Sequence, residues 1–352
     1  MAGIPIRISR AAQDQAMKVS IIVRTYNRGY IIGEAIESAL RQTYGNFEII
    51  VVDDGSSDGT AEAVERFRSD KIRYIRHDQN RGVSAAGNTG IKVAKGDIIA
   101  HLDSDDLWKP EMLASLIDVL QRHHQIGAVF CDVEVDRGKS VSSITSSMRA
   151  FPKLLASHAH PDSDVFVFSS REMYLCLLEE VPIKPTAVLI RRTVLDEFRG
   201  YDESWCSGED WELYLRISKH YGFGYVDRKL AVMRVLEDST LSKFQEADKF
   251  SLLQLAVSEK KGLRRDRAAL EAANRAIARH CKDLGSTYLH SGRRMKSIST
   301  YARGFAETGH VPLIMRAGVA LMPLSLTAGL KKVLLCSDRS LAFFRKENAS
   351  RR

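Results

Sequence analysis

Short runs of apolar, β-branched residues, each followed by a stretch with helical spacing, constrain this chain more than any other feature. Val19 to Arg24 (VSIIVR), Phe47 to Val52 (FEIIVV), Ile72 to Ile75, Asp97 to Leu102 (DIIAHL) and Ile126 to Val135 each read as a strand. Between them, residues 30–41, 60–68 and 83–94 read as helices, and Pro110 stands near the start of another that runs to about 123. Such alternation over 135 residues predicts an α/β fold with a mostly parallel sheet and helices on both faces. Ligands on open sheets of this kind bind beyond the carboxyl ends of the strands. The acidic residues at those ends therefore matter most.

Past residue 135 the alternation weakens. Residues 136–165 are Ser-rich and include SVSSITSS and SHAHPDSD, so they read as a variable loop insertion. Thr186 to Ile190 and Tyr225 to Val235 are further strand candidates, and residues 209–220 a helix. From about 244 onward only helices are expected. The domains are thus an N-terminal extension over 1–17, a catalytic domain over 18–240, and a helical, basic region over 241–352.

Charge follows that division. Residues 260–352 carry 20 Lys and Arg against 6 Asp and Glu, which leaves the rest of the chain at −6 out of a total of +8. Ala317 to Leu330 is apolar, too short to span a bilayer, and is followed by Lys331 and Lys332. The expected partner of this region is an anionic membrane surface, with a helix packed on the protein as the plain alternative. Nucleic acid is not expected, because it would leave the acidic clusters unexplained. Five scattered cysteines form no CxxC pair, and the N-terminal residues lack an apolar signal core. The expected location is cytoplasmic, peripheral on the cytoplasmic face of the membrane.

Three acidic segments carry chemistry. DDGSSDGT (53–60) places two carboxylates at a strand end; turn and helix-capping chemistry explains part of it, but not the adjacent pair. A carboxylate there can accept an N–H of a nucleotide base. HLDSDD (101–106) crowds Asp103, Asp105 and Asp106 together after another strand. Their repulsion favours a hard cation, Mn2+ or Mg2+, that also binds substrate phosphates. GEDWELY (208–214) opens a helix with Glu209 and Asp210; either the helix dipole or a general base accounts for acids there.

These segments, with RTYNR (24–28), NRGVSAAGNTGI (80–91) and GYDESWCSGEDWELYLRI (200–217), resemble family 2 glycosyltransferases of the GT-A fold. The likeness implies a Rossmann-like sheet sandwiched by helices, here with an all-helical C-terminal extension. It implies inverting, hexosyltransferase-type transfer from a nucleotide-sugar, a UDP-sugar favoured, to a glycan or lipid-linked acceptor hydroxyl in polysaccharide or glycoconjugate assembly. Thr25, Tyr26 and Asn27 would flank the nucleoside, and Asp53, with Asp54 beside it, would bind the base. Arg81, Asn88 and Ser104 would line the donor site, Asp103 would meet the ribose or the metal, and Asp105 would ligate the metal. Asp210 would be the catalytic base. Two departures stand out: Gly87 where many relatives have Arg, and no His in RVLEDSTLS (234–242). A sugar nucleotidyltransferase and an inactive nucleotide-sugar-binding protein are the alternatives. The first lacks its Gly-rich N-terminal loop, and the second has no use for Asp210. The nucleotide motifs GxGxxG and GxxxxGK[ST] are absent. His77 and His101 are read as structural or surface residues.

Overall fold

The apolar runs form one mixed sheet in a computed structural model that describes residues 17–138, 141–142, 148, 151–158, 164–205, 207–236 and 245–321. Its strands are β1 (Val19–Thr25), β2 (Phe47–Asp53), β3 (Ile72–Arg76), β4 (Ile98–Asp103), β5 (Leu107–Trp108), β6 (Ile126–Asp136), β7 (Val141–Ser142), β8 (Val165–Phe168), β9 (Val188–Arg191) and β10 (Gly222–Arg234). The helices are α1 (Ile32–Leu40), α2 (Thr60–Glu65), α3 (Val83–Val93), α4 (Met112–Arg122), α5 (Pro152–His158), α6 (Ser170–Glu179), α7 (Arg192–Phe198), α8 (Glu209–Ser218), α9 (Gln245–Lys260), α10 (Arg267–His290), α11 (Arg294–Thr308) and α12 (Val311–Leu321).

The sheet runs β3-β2-β1-β4-β9-β6-β10-β5, with β7 on β6 and β8 on β10. Four pairings are parallel: β1 with β2, β1 with β4, β2 with β3, and β6 with β10. The other five are antiparallel, so the expectation of a mostly parallel sheet holds only for its first four strands. The cause is β9, which enters between β4 and β6 against the direction of both. One edge of β10 carries β8 and then β5, and bulges near Val226 to Ala231 bend it between them. Part of the segment read as an insertion is regular, since α5 lies within it.

The first strands lose their hydrophobic period because both faces are covered. Ile21, Val23, Ile49, Val51, Ala100 and Leu102 join Ile32, Ile36, Leu113 and Leu116 in one cluster, while Ile22 and Ile50 are equally buried on the other face. Two indole N–H groups lock the later segments: Trp108 donates to the Thr186 carbonyl and Trp211 to that of Leu177, each at 2.6 Å.

The chain divides into two compact units, 1–245 and 246–352. The second is helical. Asp266 caps α10 through the Ala269 N–H at 3.1 Å, and small residues such as Ala272, Ala273, Ala276 and Gly285 bring α10 close to its neighbours. Tyr301 of α11 lies over Gly285, where an added Cβ would meet its ring at 2.4 Å. No described helix is long and apolar enough to cross a membrane. Residues 1–16, 237–244 and 322–352 lie outside the described residues, and with them most of the apolar run 317–330, Lys331 and Lys332.

Candidate active site

Strand register assembles the site. Parallel pairing sets Thr25 opposite Asp53, and Arg24 opposite Asp103, so the ends of β2, β1 and β4 lie side by side. The loop after β1 then crosses to the loop after β2. Asn27 takes a left-handed φ of 52°, which Asn tolerates better than most residues. Its N–H donates to Ser56 Oγ at 2.8 Å, and its side-chain oxygen accepts from the Ser57 N–H at 2.8 Å. Gly55 must be glycine twice over: φ is +81°, and a Cβ would meet the Gln79 carbonyl carbon at 2.7 Å. Tyr26 leaves this junction half-exposed, whereas Thr25 is buried with its hydroxyl unpartnered.

The first acidic pair is committed to loops. Asp53 is fully buried and accepts from the Ser56 N–H at 2.8 Å and the Tyr74 hydroxyl at 2.5 Å. Burial, then that bond to Asp53, raise the Tyr74 pKa. Asp54 accepts from the backbone N–H groups of Arg81 and Gly82 at 2.9 and 2.7 Å, and contacts His77 Nδ1 at 2.7 Å. His77 Nε2 in turn meets Thr89 of α3 at 2.9 Å. Asp54 therefore fixes the entry to α3, and His77 is a buried strut.

The second cluster keeps its repulsion. Asp103 accepts from Arg24 Nη2 at 2.8 Å, Ser104 is buried, and Asp105 stands 3.8 Å from Arg28. Burial and then the charge of Asp103 hold the Asp105 carboxyl above its ordinary range, against Arg28 and Arg234. Asp106 is pushed well up by burial and by both neighbours, although it accepts from the Arg234 N–H at 2.9 Å. Arg234, at the end of β10, also donates to the Asp105 carbonyl.

Arg24 ties this cluster to α8. Its Nη1 lies 3.7 Å from Glu209, its guanidinium carbon 5.8 Å from the centre of the Tyr201 ring, and Nη1 and Nε have no hydrogen-bond partner. Burial opposes its charge, but Asp103, Tyr201 and Glu209 outweigh that and raise its pKa. The hydroxyls of Tyr201 and Tyr214 and both ring nitrogens of His101 are also buried and unpartnered. Burial and Arg24 keep His101 well below its ordinary pKa, hence neutral. At the start of α8, Gly208 adopts φ 76° and turns the chain into the helix. Burial, then the charge of Asp210, raise Glu209 to about 7, with Arg24 working the other way. Burial also raises Asp210, against the Trp211 N–H, Lys184 and Arg24. Two carboxylates with raised pKa thus adjoin one buried cation.

The structure thus gathers Thr25, Asp53, Asp103, Ser104 and Asp105 at the strand ends, with Glu209 and Asp210 one guanidinium away. Asn88 is turned aside: it donates to the Tyr201 carbonyl and to Glu203, both at 2.9 Å, and accepts from the Tyr201 N–H at 2.8 Å. Arg81 is half-exposed and lies 4.0 Å from the same Glu203. Gly87 has a local reason, since a Cβ there would meet the Tyr201 ring at 2.9 Å. Sequence reasoning passed over Arg24, Arg28 and Arg234 as site residues, and noted Glu209 only beside Asp210 without giving it a role of its own. For Arg24 a signal existed: a charge closing a run of buried β-branched residues needs a buried partner.

The profile of the family described as Glycosyl transferase family 2 matches residues 20–197. The chain belongs to this family. Relatives of this chain include an uncharacterized glycosyltransferase of Rickettsia felis (strain ATCC VR-1525 / URRWXCal2), 32% identical over 237 residues, 67% of this chain and 35% of the other. Another is the UDP-Glc:alpha-D-GlcNAc-diphosphoundecaprenol beta-1,3-glucosyltransferase WfgD of Escherichia coli, 31% identical over 201 residues, 57% of this chain and 70% of the other. The chain spans about a third of the length of the Rickettsia felis, Rickettsia conorii and Rickettsia bellii relatives it matches. Among solved structures, S. aureus TarS 1-349 in complex with UDP-GlcNAc superposes with a TM-score of 0.64 at 19% identity, covering 86% of this chain and 87% of that one. Mannosyltransferase PcManGT from Pyrobaculum calidifontis, in complex with GDP-Man and Mn2+, gives 0.56 at 20% identity, with 94% and 82% covered. Identities this low speak to the fold: a GT-A-type α/β sheet with a helical C-terminal region.

Proposed function

We propose that this family 2 glycosyltransferase moves a sugar, with inversion, from a nucleoside diphosphate sugar to an acceptor hydroxyl. A UDP-sugar is the favoured donor, and a glycan or lipid-linked acceptor in polysaccharide or glycoconjugate assembly is the favoured acceptor. The observation that carries this reading is the guanidinium of Arg24, which joins Asp103 at the end of β4 to Glu209 at the start of α8. That link between Asp103 and Glu209, the neighbour of Asp210, supports a shared site for donor and base. The E. coli relative, named for transfer to a diphosphoundecaprenol-linked sugar, supports the acceptor class.

In this reading Asp210 accepts the acceptor's proton as its oxygen bonds to the anomeric carbon. The bond from that carbon to the diphosphate oxygen breaks, and the electron pair leaves with the diphosphate. Raised pKa values at Asp210 and Glu209 suit a base working near neutral pH. Tyr26 and Thr25 flank the nucleoside. Asp53 reaches the base only if Tyr74 or the Ser56 N–H shares its carboxylate, and Asp54, Arg81 and Asn88 shape the donor loops from behind.

The residues fit a divalent cation, Mn2+ or Mg2+. Asp105 is raised first by burial and then by the charge of Asp103, against Arg28 and Arg234, and a cation between the two carboxylates would relieve that second contribution. Asp105, with Asp103, would hold it; no group of three candidate ligands is found among the described residues, so donor phosphates and water complete such a shell. A bound metal supplies positive charge to the departing diphosphate. The Mn2+ in the PcManGT complex supports the choice. The basic helical region would hold the enzyme peripherally on the cytoplasmic face of a membrane.

The test is a thermal-shift panel of nucleotide sugars with and without Mn2+, followed by product analysis. Asp210→Asn should retain the donor-induced shift and lose transfer. Near-normal turnover in that variant would remove Asp210 as the base. A donor shift with no transfer by the unaltered chain, across acceptors of the proposed class, would favour the inactive binding protein.

A further inference from the structure

Tyr201 touches both halves of the site, and no step of the transfer reaction uses it. It stands in the loop between α7 and α8 and is 3% exposed. Its backbone is gripped from α3. The Asn88 side-chain oxygen accepts from the Tyr201 N–H at 2.8 Å, and the Asn88 amide donates to the Tyr201 carbonyl at 2.9 Å. The preceding turn allows that grip: Gly200 takes φ +68°, and a Cβ there would collide with the Asn88 side-chain oxygen. The ring is fixed on two further sides. α3 backs it at Gly87, where a Cβ would meet it at 2.9 Å, and the His101 ring of β4 packs against it at 72° with 5.4 Å between centres. Over the ring lies Arg24, its guanidinium carbon 5.8 Å from the ring centre. Arg24 Nη2 donates to Asp103, Nη1 stands 3.7 Å from Glu209, and Nη1 and Nε have no hydrogen-bond partner. One hydrogen bond at Nη2 leaves the guanidinium free to turn about it, so the direction of Nη1 has to come from packing. An aromatic face supplies that packing and also attracts a cation through its quadrupole.

We propose that Tyr201 is a positioning residue: clamped by Asn88, its ring holds the Arg24 guanidinium with Nη1 directed at Glu209, the neighbour of Asp210. This rests on the reading of Asp210 as the base, and it gives that base a charge environment set from outside α8. Among the described residues, the charged and titratable groups facing the two acids are Arg24 from β1, Asp103 from β4, Lys184 from the turn before β9, and the phenols of Tyr201 and Tyr214. Arg24 works to lower both acids, whereas Asp103 raises both. A guanidinium that swings away from α8 therefore leaves both acids holding their protons to higher pH.

The experiment uses the full chain and reads Glu209 directly. Its carboxyl carbon, isotopically labelled and assigned through Glu209→Gln, is titrated by NMR, with a midpoint at about 7 in the unaltered protein. Tyr201→Leu should raise that midpoint by about one pH unit, the effect of moving a cation away from a buried carboxylate. Tyr201→Phe keeps the ring and removes only a hydroxyl with no hydrogen-bond partner, so it should bring the midpoint back. Asn88→Ala keeps the ring but frees its backbone, and should raise the midpoint by less. That variant keeps the test open if Tyr201→Leu does not fold. An unmoved midpoint in Tyr201→Leu and Asn88→Ala overturns the proposal. So does a fall, which would mean that the ring only excludes water. A Tyr201→Phe midpoint as high as that of Tyr201→Leu also overturns it, since the hydroxyl rather than the ring would then matter. Transfer is followed alongside, and the acid limb of its rate profile should move to higher pH with the midpoint. A midpoint that moves in a chain showing no transfer would strike the proposed function and leave the positioning role standing.

Discussion

Arg24 shows how one side chain can organise a site. A buried cation bonded to Asp103 and close to Glu209 has exchanged its hydration for two carboxylates, and removing it would leave both uncompensated. Arg24→Met should therefore destabilise the first unit by roughly 3–5 kcal/mol, read by urea unfolding, and should lower transfer as well. Glu209 bears on pH. As the proposed base, Asp210 must be deprotonated to act, so transfer should rise with pH as its raised pKa is passed. Glu209→Gln removes a negative neighbour, Asp210 then loses its proton more readily, and the acid limb of the rate profile should move to lower pH. A limb that stays in place would mean that the two carboxylates do not titrate together. The acids were legible because adjacent carboxylates at an apolar strand end have no role in a core. The cations were not, because Arg24, Arg28 and Arg234 find their partners only through strand register and a return of the chain some 130 residues later.

At the scale of elements, the long apolar runs were readable and the late strands only in part. β1, β2, β4 and β6 are buried on both faces and announce themselves by composition. The direction of β9 is set by its neighbours, and four residues of VLIR carry no sign of it. α6 was passed over, although Ser169 and Glu172 form a capping box that ordinary N-cap rules recognise. In the helical unit, close packing rests on what is missing: Gly285 leaves room for Tyr301. Gly285→Ala gains up to about 1 kcal/mol in helix propensity, but overpacking against the ring costs about 1–3 kcal/mol. Net loss of stability in urea unfolding is the expected outcome, and a more stable variant would show that the ring can move aside.

For the whole molecule, two units with separate cores should melt as separate events. Differential scanning calorimetry should resolve two transitions. UDP with Mn2+ should raise one of them, by the equivalent of about 2.7 kcal/mol when ligand stands at 100 times its Kd. A single transition that UDP shifts as a whole would show the units to be thermodynamically one. Charge division along the chain was plain in the sequence, because it needs only counting. The clamp of Asn88 on Tyr201 was not, since the two stand 113 residues apart in the chain.

The antiparallel entry of β9 between β4 and β6 has a consequence for synthesis. β6 leaves the ribosome at residue 136, but its two long-edge neighbours, β9 and β10, arrive only with residues 188 and 222. At about 5–20 residues per second, the apolar strand IGAVFCDV waits several seconds with most of both edges unpaired. The nascent chain at that length exposes unpaired strand edges, and holdase chaperones have a defined interval in which to act. Since α8 is made later still, no truncated product that stops short of it can carry Asp210, the proposed base.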